Sequence, residues 1–585
     1  MFGFFGKMLR INLITGDHFV EVLEEELLKK YLGGRGLATY LLNRLVPPGT
    51  DPLGPGNPVI FVTGPAAGTI MPGASRYSVF SKSPLTGGFG EASSGGRVAA
   101  AMKSTGYDAI VIEGKSDKPV YLEISDREVK VHDAGHLWGK DTYFTEDAVI
   151  AEVGQEGAEA LVIGPAGENL VRFACLENNY WRSAGRTGMG AVMGSKKLKA
   201  VVFHGQAACQ LADPELLKEL VMSLREKAKD DPGAKNYRTY GTPVMVSILN
   251  KAGVFPARYW SKGRSDHWEK INGDALLNNF DVKAKACPHC MLACGKLTKV
   301  REGEYQGLTV EGPEYETIYA FGGLCEIDRL DEILKLNDLC DRLGVDTITC
   351  GNLIGLVMEA REQGRLTEGP LYGDAKGAAD LILQISGRQG LGAILSGGIK
   401  AAAAQLGLED LAVHVKGMEP AGYDPRLLKG MGLAYATSAR GACHLRATFY
   451  KPELAGIIDP AQIDGKAQLF IEFENRLTIF NTMILCVFFR DLIPWESLVS
   501  LIRATCGWEF TPDELRQVAN RIVAMSRQFN LDQGLSALDD RLPARLFRQS
   551  IAPDRSHLTE AEFDLMLADY YRLRGWTPEG IPVAN

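Results

Sequence analysis

Cys287, Cys290 and Cys294 stand in the run Ala286-Cys-Pro-His-Cys-Met-Leu-Ala-Cys-Gly295, spaced C-x2-C-x3-C. Three thiolates gathered by one tight loop can hold three corners of an iron–sulfur cubane and leave the fourth to a distant ligand. Structural zinc usually shows paired C-x2-C knuckles, and a second knuckle is missing. His289 could complete a zinc site, although from inside the loop it would point away from its neighbours' sulfurs. Packing without metal is the third reading. Cys175, Cys209, Cys325, Cys340, Cys350, Cys443 and Cys506 lie singly, and each reads as a buried small hydrophobe. By periodicity alone Cys486, in Asn481-Thr-Met-Ile-Leu-Cys486-Val-Phe-Phe, is one more apolar position.

Two further features carry chemistry. Glu314 and Glu316 put two carboxylates on one loop, and His444 sits in Arg440-Gly-Ala-Cys-His444-Leu-Arg446. Taken singly, a surface glutamate and a satisfied core histidine are the ordinary readings. Glycine makes up 65 of the 585 residues, about 11% against a usual ~7%. Much of the excess falls in short clusters before residue 205. Glycines and backbone donors recur at Gly73–Arg76, at Ser93–Gly96 with Gly95, and at Arg182–Gly190 with Ser183 and Gly185; two of these stretches add arginine, Arg76 and Arg182. Such segments suit a chain that grazes a flat ring or cradles a phosphate. Gly190-Ala-Val-Met-Gly194-Ser-Lys196 narrowly misses the nucleotide P-loop pattern, because its glycines are one residue too close and a serine separates glycine from lysine.

The elements that must position these residues change character along the chain. Apolar runs at 58–63, 108–113, 160–163 and 199–204 read as buried strands. Alternation at 120–124 and 129–131 around Ser125-Asp126-Arg127 reads as a hairpin. From Leu211 the pattern turns helical: Asp213 caps a helix with Pro214 at its first position and one stripe of Leu216, Leu217, Leu220, Val221 and Leu224. Loops are expected at 256–312 and 417–430. The fold class is therefore α+β, with a β-rich domain at 1–207, a helical domain with the cysteine loop at 208–416, and a helical domain with His444 and Cys486 at 417–585.

Composition narrows the partners. A hydrophobic share of 45%, a charged share of 23% and a net charge of −8 describe a globular chain without the basic face that nucleic acid requires. No apolar run reaches the ~18–20 residues of a membrane helix. The opening Met1-Phe-Gly-Phe-Phe-Gly-Lys7 places its basic residues after a short aromatic patch, the reverse of a signal peptide, so a cytoplasmic location is expected.

Taken together, these segments resemble the aldehyde:ferredoxin oxidoreductase family of tungsten or molybdenum bis-pterin enzymes. The resemblance rests on Gly6–Leu13, Tyr31–Ala38, Gly73–Val79, Lys82–Gly87, Ser94–Gly96, Gly106–Gly114, Ile163–Asn169, Ala184–Gly194, Glu311–Glu316 and Tyr570–Trp576, and it runs nearly end to end. It implies a two-sheet N-terminal base carrying the cofactor under two helical domains. It also implies a metal held by the dithiolene sulfurs of two pterins, one [4Fe–4S] cluster, and Mg2+ as a candidate bridge between the pterin phosphates. Cys287, Cys290, Cys294 and Cys486 match the family's cluster ligands, and Arg76 matches the arginine between pterin and cluster. Glu316 matches the glutamate beside the metal, as general base for water, and His444 the histidine that would polarise a carbonyl; Glu314 is the alternative base.

The pterin motif D-x-x-G-L-[D/C] appears as Asp341-Arg-Leu-Gly344-Val345-Asp346. Asp341 is placed near the end of an apolar-striped helix that Gly344 stops. The second copy departs from the pattern: Asn481 keeps an amide but loses the charge, and Ile484 stands where glycine is expected, before Leu485 and Cys486. Arg446 replaces a lysine and can still hold an anion, with different geometry. Lys335 stands where part of the family uses a glutamate to bridge a dimer through a metal, so a homodimer or hetero-complex would form without an interface metal. The resemblance implies a small aldehyde as substrate and ferredoxin, or a ferredoxin-like subunit, as electron acceptor. Low-potential reduction of aromatic acyl thioesters, and a non-catalytic cluster-bearing electron-transfer subunit, are the competing functions.

Overall fold

The structure, a computed structural model, describes residues 1–583. Two six-stranded sheets form the N-terminal base. The first comprises β1 (Lys7–Asn12), β2 (His18–Val22), β3 (Val59–Val62), β4 (Tyr77–Lys82), β5 (Phe89–Ser94) and β6 (Ala109–Glu113), in the order β2-β1-β6-β3-β4-β5. The second comprises β7 (Val120–Ile124), β8 (Val129–Asp133), β9 (Glu159–Val162), β10 (Leu176–Asn178), β11 (Arg182–Ala184) and β12 (Leu198–Phe203), in the order β11-β10-β9-β12-β7-β8. All four expected strands and the hairpin are present, the hairpin pairing Val120 with Asp133.

Why these runs lack polar alternation is visible in their packing. Leu9, Phe61, Val79 and Ile110 of the first sheet meet Leu122, Leu161, Val201 and Phe203 of the second in one core, with the Phe61 and Phe203 rings 6.3 Å apart. The opposite face of the first sheet, Met8, Ile60, Val62, Phe80 and Val111, is covered by apolar residues from 217–234 and 477–529. A central strand covered on both faces reads as a continuous apolar run.

The remainder is mainly helical. The helix Pro214–Asp230 begins as expected, the Asp213 carboxylate accepting from the Leu216 N–H at 2.9 Å. The expected loop at 256–312 is not all loop. It contains the helix Gly273–Asn279 and a three-stranded antiparallel sheet of β13 (Asp281–Lys285), β14 (Gly295–Lys299) and β15 (Thr309–Glu311), in that order. These strands are short and partly solvated, so their alternation is too brief to stand out in the sequence. The cysteine loop is the connection between β13 and β14.

The near-miss P-loop is a helix, Met189–Ser195, and its glycines serve packing. A Cβ added to Gly194 would stand 1.9 Å from the Gly167 carbonyl oxygen, a backbone atom that cannot move aside. Gly194→Ala is expected to destabilise the chain by about 2–3 kcal/mol through overpacking, read as a lower midpoint in denaturant with an unchanged slope.

Candidate active site

A cavity of about 360 Å3 opens between the base and the helical layer. It collects Cys287, Cys290, Cys294 and Cys486 with Arg76, Ser93, Gly95, Arg182, Ser183, Gly185, Asp341, Val345, Glu316 and His444. Residues far apart in the chain are tied to the same N-terminal stretch. The Cys486 N–H donates to the Gly73 carbonyl at 2.8 Å, and the Ser75 hydroxyl donates to the Pro288 carbonyl at 2.9 Å. The cysteine loop lies against Gly95, where a Cβ would stand 3.1 Å from the Cys287 sulfur. The Arg76 guanidinium donates to the Ser93 hydroxyl at 3.0 Å.

None of the four thiols is in a disulfide. Among the described residues no three His, Cys, Asp or Glu side chains converge closely enough for a single metal ion. Four thiols lining one cavity form a donor set that a multinuclear cluster can use. Burial, with the charge of Cys486, pushes the Cys290 thiol up to about 11. Burial likewise raises Cys294, while the Arg182 guanidinium opposes the rise. A buried thiol ionises more readily beside a cation, which a bound metal cluster would supply. Of the isolated cysteines, Cys209 is half-exposed and the other six are buried.

Glu316 and His444 meet across the cavity, with Glu316 Oε1 3.6 Å from His444 Nε2. The chain holds Glu316 by its other oxygen, which accepts the Gly422 N–H at 3.0 Å. Glu316 Oε1 and His444 Nδ1 are both buried without a hydrogen-bond partner, a state with a free-energy cost that marks atoms reserved for a ligand or water. Burial raises the Glu316 carboxyl to about 8, against the opposing Gly422 N–H and Arg186 charge. Burial also lowers His444 far below the ordinary imidazole value, aided by Arg440 and Arg186, so the ring is neutral at pH 7 and keeps one N–H to donate. The Tyr423 ring stacks on His444 with centroids 5.6 Å apart, and Tyr450 stacks on Tyr423 at 3.9 Å.

Also lining the cavity, Asp341 is buried on the helix Leu330–Leu343 and accepts from the Asn337 amide at 2.7 Å. Burial and the neighbouring Asp338 raise its carboxyl. Ser183 donates to Glu177 at 2.6 Å, and burial and Asp341 raise Glu177 too. Carboxyl oxygens so placed can accept from the amino and ring N–H groups of a heterocycle such as a pterin.

Five expected binding residues do not line the cavity. Gly344, at φ +71°, terminates its helix. Gly96, at φ +104°, turns the chain toward Asn178 and Asn179. Arg446 is drawn into a buried ion pair with Glu91, which Arg35 approaches to 3.4 Å, so its charge is satisfied internally. The Asn481 amide donates to the Leu477 carbonyl of its own helix at 2.7 Å, and Leu485 is in the apolar core. Ile484 keeps φ at +52°, a conformation natural to glycine and strained for a β-branched residue. The second motif therefore retains the glycine-type backbone without its glycine.

Arg186 was missed among the sequence candidates. It donates to Asp346 at 3.0 Å and to the Glu419 carbonyl at 2.8 Å, all buried. An arginine inside the glycine run 184–194 was the available signal. Its partner Glu419 had none, being separated by 233 residues.

A quartet of thiols beside an unpaired carboxylate and a neutral imidazole is the equipment of a redox catalyst, and the class is oxidoreductase. The family model for the aldehyde ferredoxin oxidoreductase N-terminal domain matches residues 8–205, and that for domains 2 and 3 matches 219–585. The chain belongs to the aldehyde ferredoxin oxidoreductase family. It is 39% identical to the tungsten-containing aldehyde ferredoxin oxidoreductase of Pyrococcus furiosus, over 99% of this chain and 97% of that one. It is 30% identical to the aliphatic sulfonate oxidoreductase WOR-like subunit of the same organism, over 100% and 96%. In fold it resembles the active site complex BamBC of benzoyl coenzyme A reductase, with a TM-score of 0.86 at 23% identity, covering 100% of this chain and 96% of that one. No helix among the described residues is long and apolar enough to cross a membrane.

Proposed function

We propose that this chain oxidises an aldehyde and water to a carboxylic acid at a tungsten (or molybdenum) bis-pterin centre, sending electrons through a [4Fe–4S] cluster to ferredoxin or a ferredoxin-like subunit. The observation that carries this reading is the half-buried Glu316–His444 pair, which faces the thiol-lined cavity and leaves one buried atom on each residue unpartnered. Relatives sharing 38–39% of residues over nearly full length are named for tungsten and for aldehyde oxidation.

Cys287, Cys290, Cys294 and Cys486 would hold the cluster. Arg76, Arg182, Ser93, Asp341 and Val345 would hold the pterins and their phosphates. When bound, the pterin metal supplies a two-electron acceptor and the cluster a one-electron exit. The chain's own residues do the proton work. Deprotonated Glu316 takes a proton from the water that attacks the aldehyde carbon, and its raised basicity suits it to that task. The neutral His444 ring donates an N–H to the carbonyl oxygen as negative charge develops there. Glu314 is less suited to be the base, because its carboxylate accepts the Thr242 hydroxyl at 2.5 Å and sits by Arg182 and Cys294.

Elemental analysis of anaerobically purified protein, with aldehyde-dependent reduction of a viologen dye, tests the reading. One tungsten or molybdenum and about four irons per chain, with aldehyde-dependent dye reduction, is the expected result. Iron without the heavier metal, or zinc alone, would overturn it.

A further inference from the structure

One buried arginine joins the segments that carry the catalytic pair. Arg186 lies between β11 and the helix Met189–Ser195. Its Nε donates to the Asp346 carboxylate at 3.0 Å and its Nη2 to the Glu419 carboxylate at 3.2 Å. Nη1 donates to two carbonyls, that of Glu419 at 2.8 Å and that of Ala442 at 3.2 Å. A guanidinium has five N–H donors, so Arg186 spends four of them inside the chain and keeps little for a ligand. Each acceptor stands close to a catalytic group. Glu419 lies three residues before Gly422, whose N–H holds Glu316 Oε2 at 3.0 Å. Ala442 precedes His444 by two residues. Asp346 caps the helix Thr347–Glu362 by accepting the Ile348 N–H at 3.2 Å. At the start of that helix the Thr347 hydroxyl accepts from Thr317, the neighbour of Glu316, at 3.1 Å. The Thr349 hydroxyl stands 2.8 Å from both carboxylates and links them.

We propose that Arg186 is the positioning residue of the Glu316–His444 pair, its guanidinium pinning from one point the three segments that aim the carboxylate and the imidazole, and its charge acting on both. The inference rests on the roles given to Glu316 and His444 above and adds the group that sets them. Arg186 favours the ionised form of Glu316 and disfavours a proton on His444, the two states that base and N–H donor need. Asp346 and Cys443, which also act on Glu316, oppose its ionisation. The phenols of Tyr315, Tyr319, Tyr423 and Tyr435 around it are raised by burial and uncharged. His444 faces Arg440, Arg446 and Arg490 as well, so its neutrality should outlast loss of Arg186. A pH effect of that loss therefore belongs to Glu316.

The test compares Arg186→Gln, Arg186→Lys and Glu419→Gln with the parent, each as holoenzyme checked for iron and for tungsten or molybdenum. Two readouts are followed against pH: aldehyde-dependent reduction of a viologen dye, and the infrared band of the protonated carboxyl that Glu316→Gln removes. Arg186→Gln should lower kcat about 10²-fold and move the Glu316 limb up by about one pH unit in both readouts, with the metals retained. Arg186→Lys keeps the charge without the fork, so kcat should fall while the limb stays at the parent's pH. Glu419→Gln keeps an acceptor for Nη2 but removes an anion beside the guanidinium, so its limb should move down. A lower kcat with an unmoved limb in Arg186→Gln would make Arg186 a structural brace and overturn the proposal, as would loss of the metals. If Arg186→Gln does not fold, an unmoved limb in Glu419→Gln overturns it. A parent that reduces no dye, with carboxyl limbs that still move as expected, would overturn aldehyde oxidation and support the role of Arg186.

Discussion

Glu316→Gln is expected to reduce aldehyde oxidation by about 10²–10⁴-fold while leaving the cavity intact, since removal of a general base typically costs that much. The amide preserves the acceptor for the Gly422 N–H but cannot take a proton from water. The parent activity should rise with pH along a limb near 8, where the buried carboxyl ionises, and that limb should vanish in the residual activity of the variant. Stability should move the opposite way. Burial raises this carboxyl in the folded chain, so the native state binds the proton more tightly than the unfolded chain does. Stability is therefore lost as pH rises from the ordinary carboxylate range through about 8. Glutamine removes that loss, so above pH 8 the inactive variant should melt at a higher temperature than the parent. A variant with full activity, or a pH limb that survives it, would remove Glu316 from the base role and return Glu314 to consideration.

Cys486→Ala is expected to have the second large effect, because it removes the proposed fourth cluster ligand, 192 residues beyond Cys294. Iron should fall from about four per chain toward none, with loss of the visible absorption of the cluster. Turnover with ferredoxin and dye should drop together to the assay background. A control at Cys443→Ala, which alters a buried free thiol, should keep the iron. Cys443 is held below the usual thiol range: burial works against its charge, but Arg440 and Arg446 outweigh that, so this control also shows whether low pKa alone confers iron binding. Normal iron in Cys486→Ala would show that the fourth ligand is another group.

Much of the architecture was written locally. Val59–Val62 is apolar at every position because both faces of its sheet are covered, and the cap at Asp213 with Pro214 fixed a helix start to the residue. The sheet β13–β15 was not legible, since strands of three to five residues carry too little periodicity to distinguish from loop. The same division holds within the site. Cys287, Cys290 and Cys294 announce themselves because neighbours in one loop are necessarily neighbours in space. Glycine at 95 is readable as a close approach, but not that the thing approached is the Cys287 sulfur.

The sequence by itself determined the β-rich base, the helical remainder, the three-thiol loop and the family resemblance that singled out Glu316, His444 and Cys486. Tertiary structure alone decided which residues face one another. It turned Arg446 away from the cavity onto Glu91, bent the Asn481 amide back onto its own helix, and put Arg186 between Asp346 and Glu419. Local pattern records the conformation each segment prefers and which of its faces is apolar. Whether a buried charge is spent on an internal partner or left for a ligand depends on groups hundreds of residues away. Only the folded chain places those groups within the few ångströms over which charges and hydrogen bonds act.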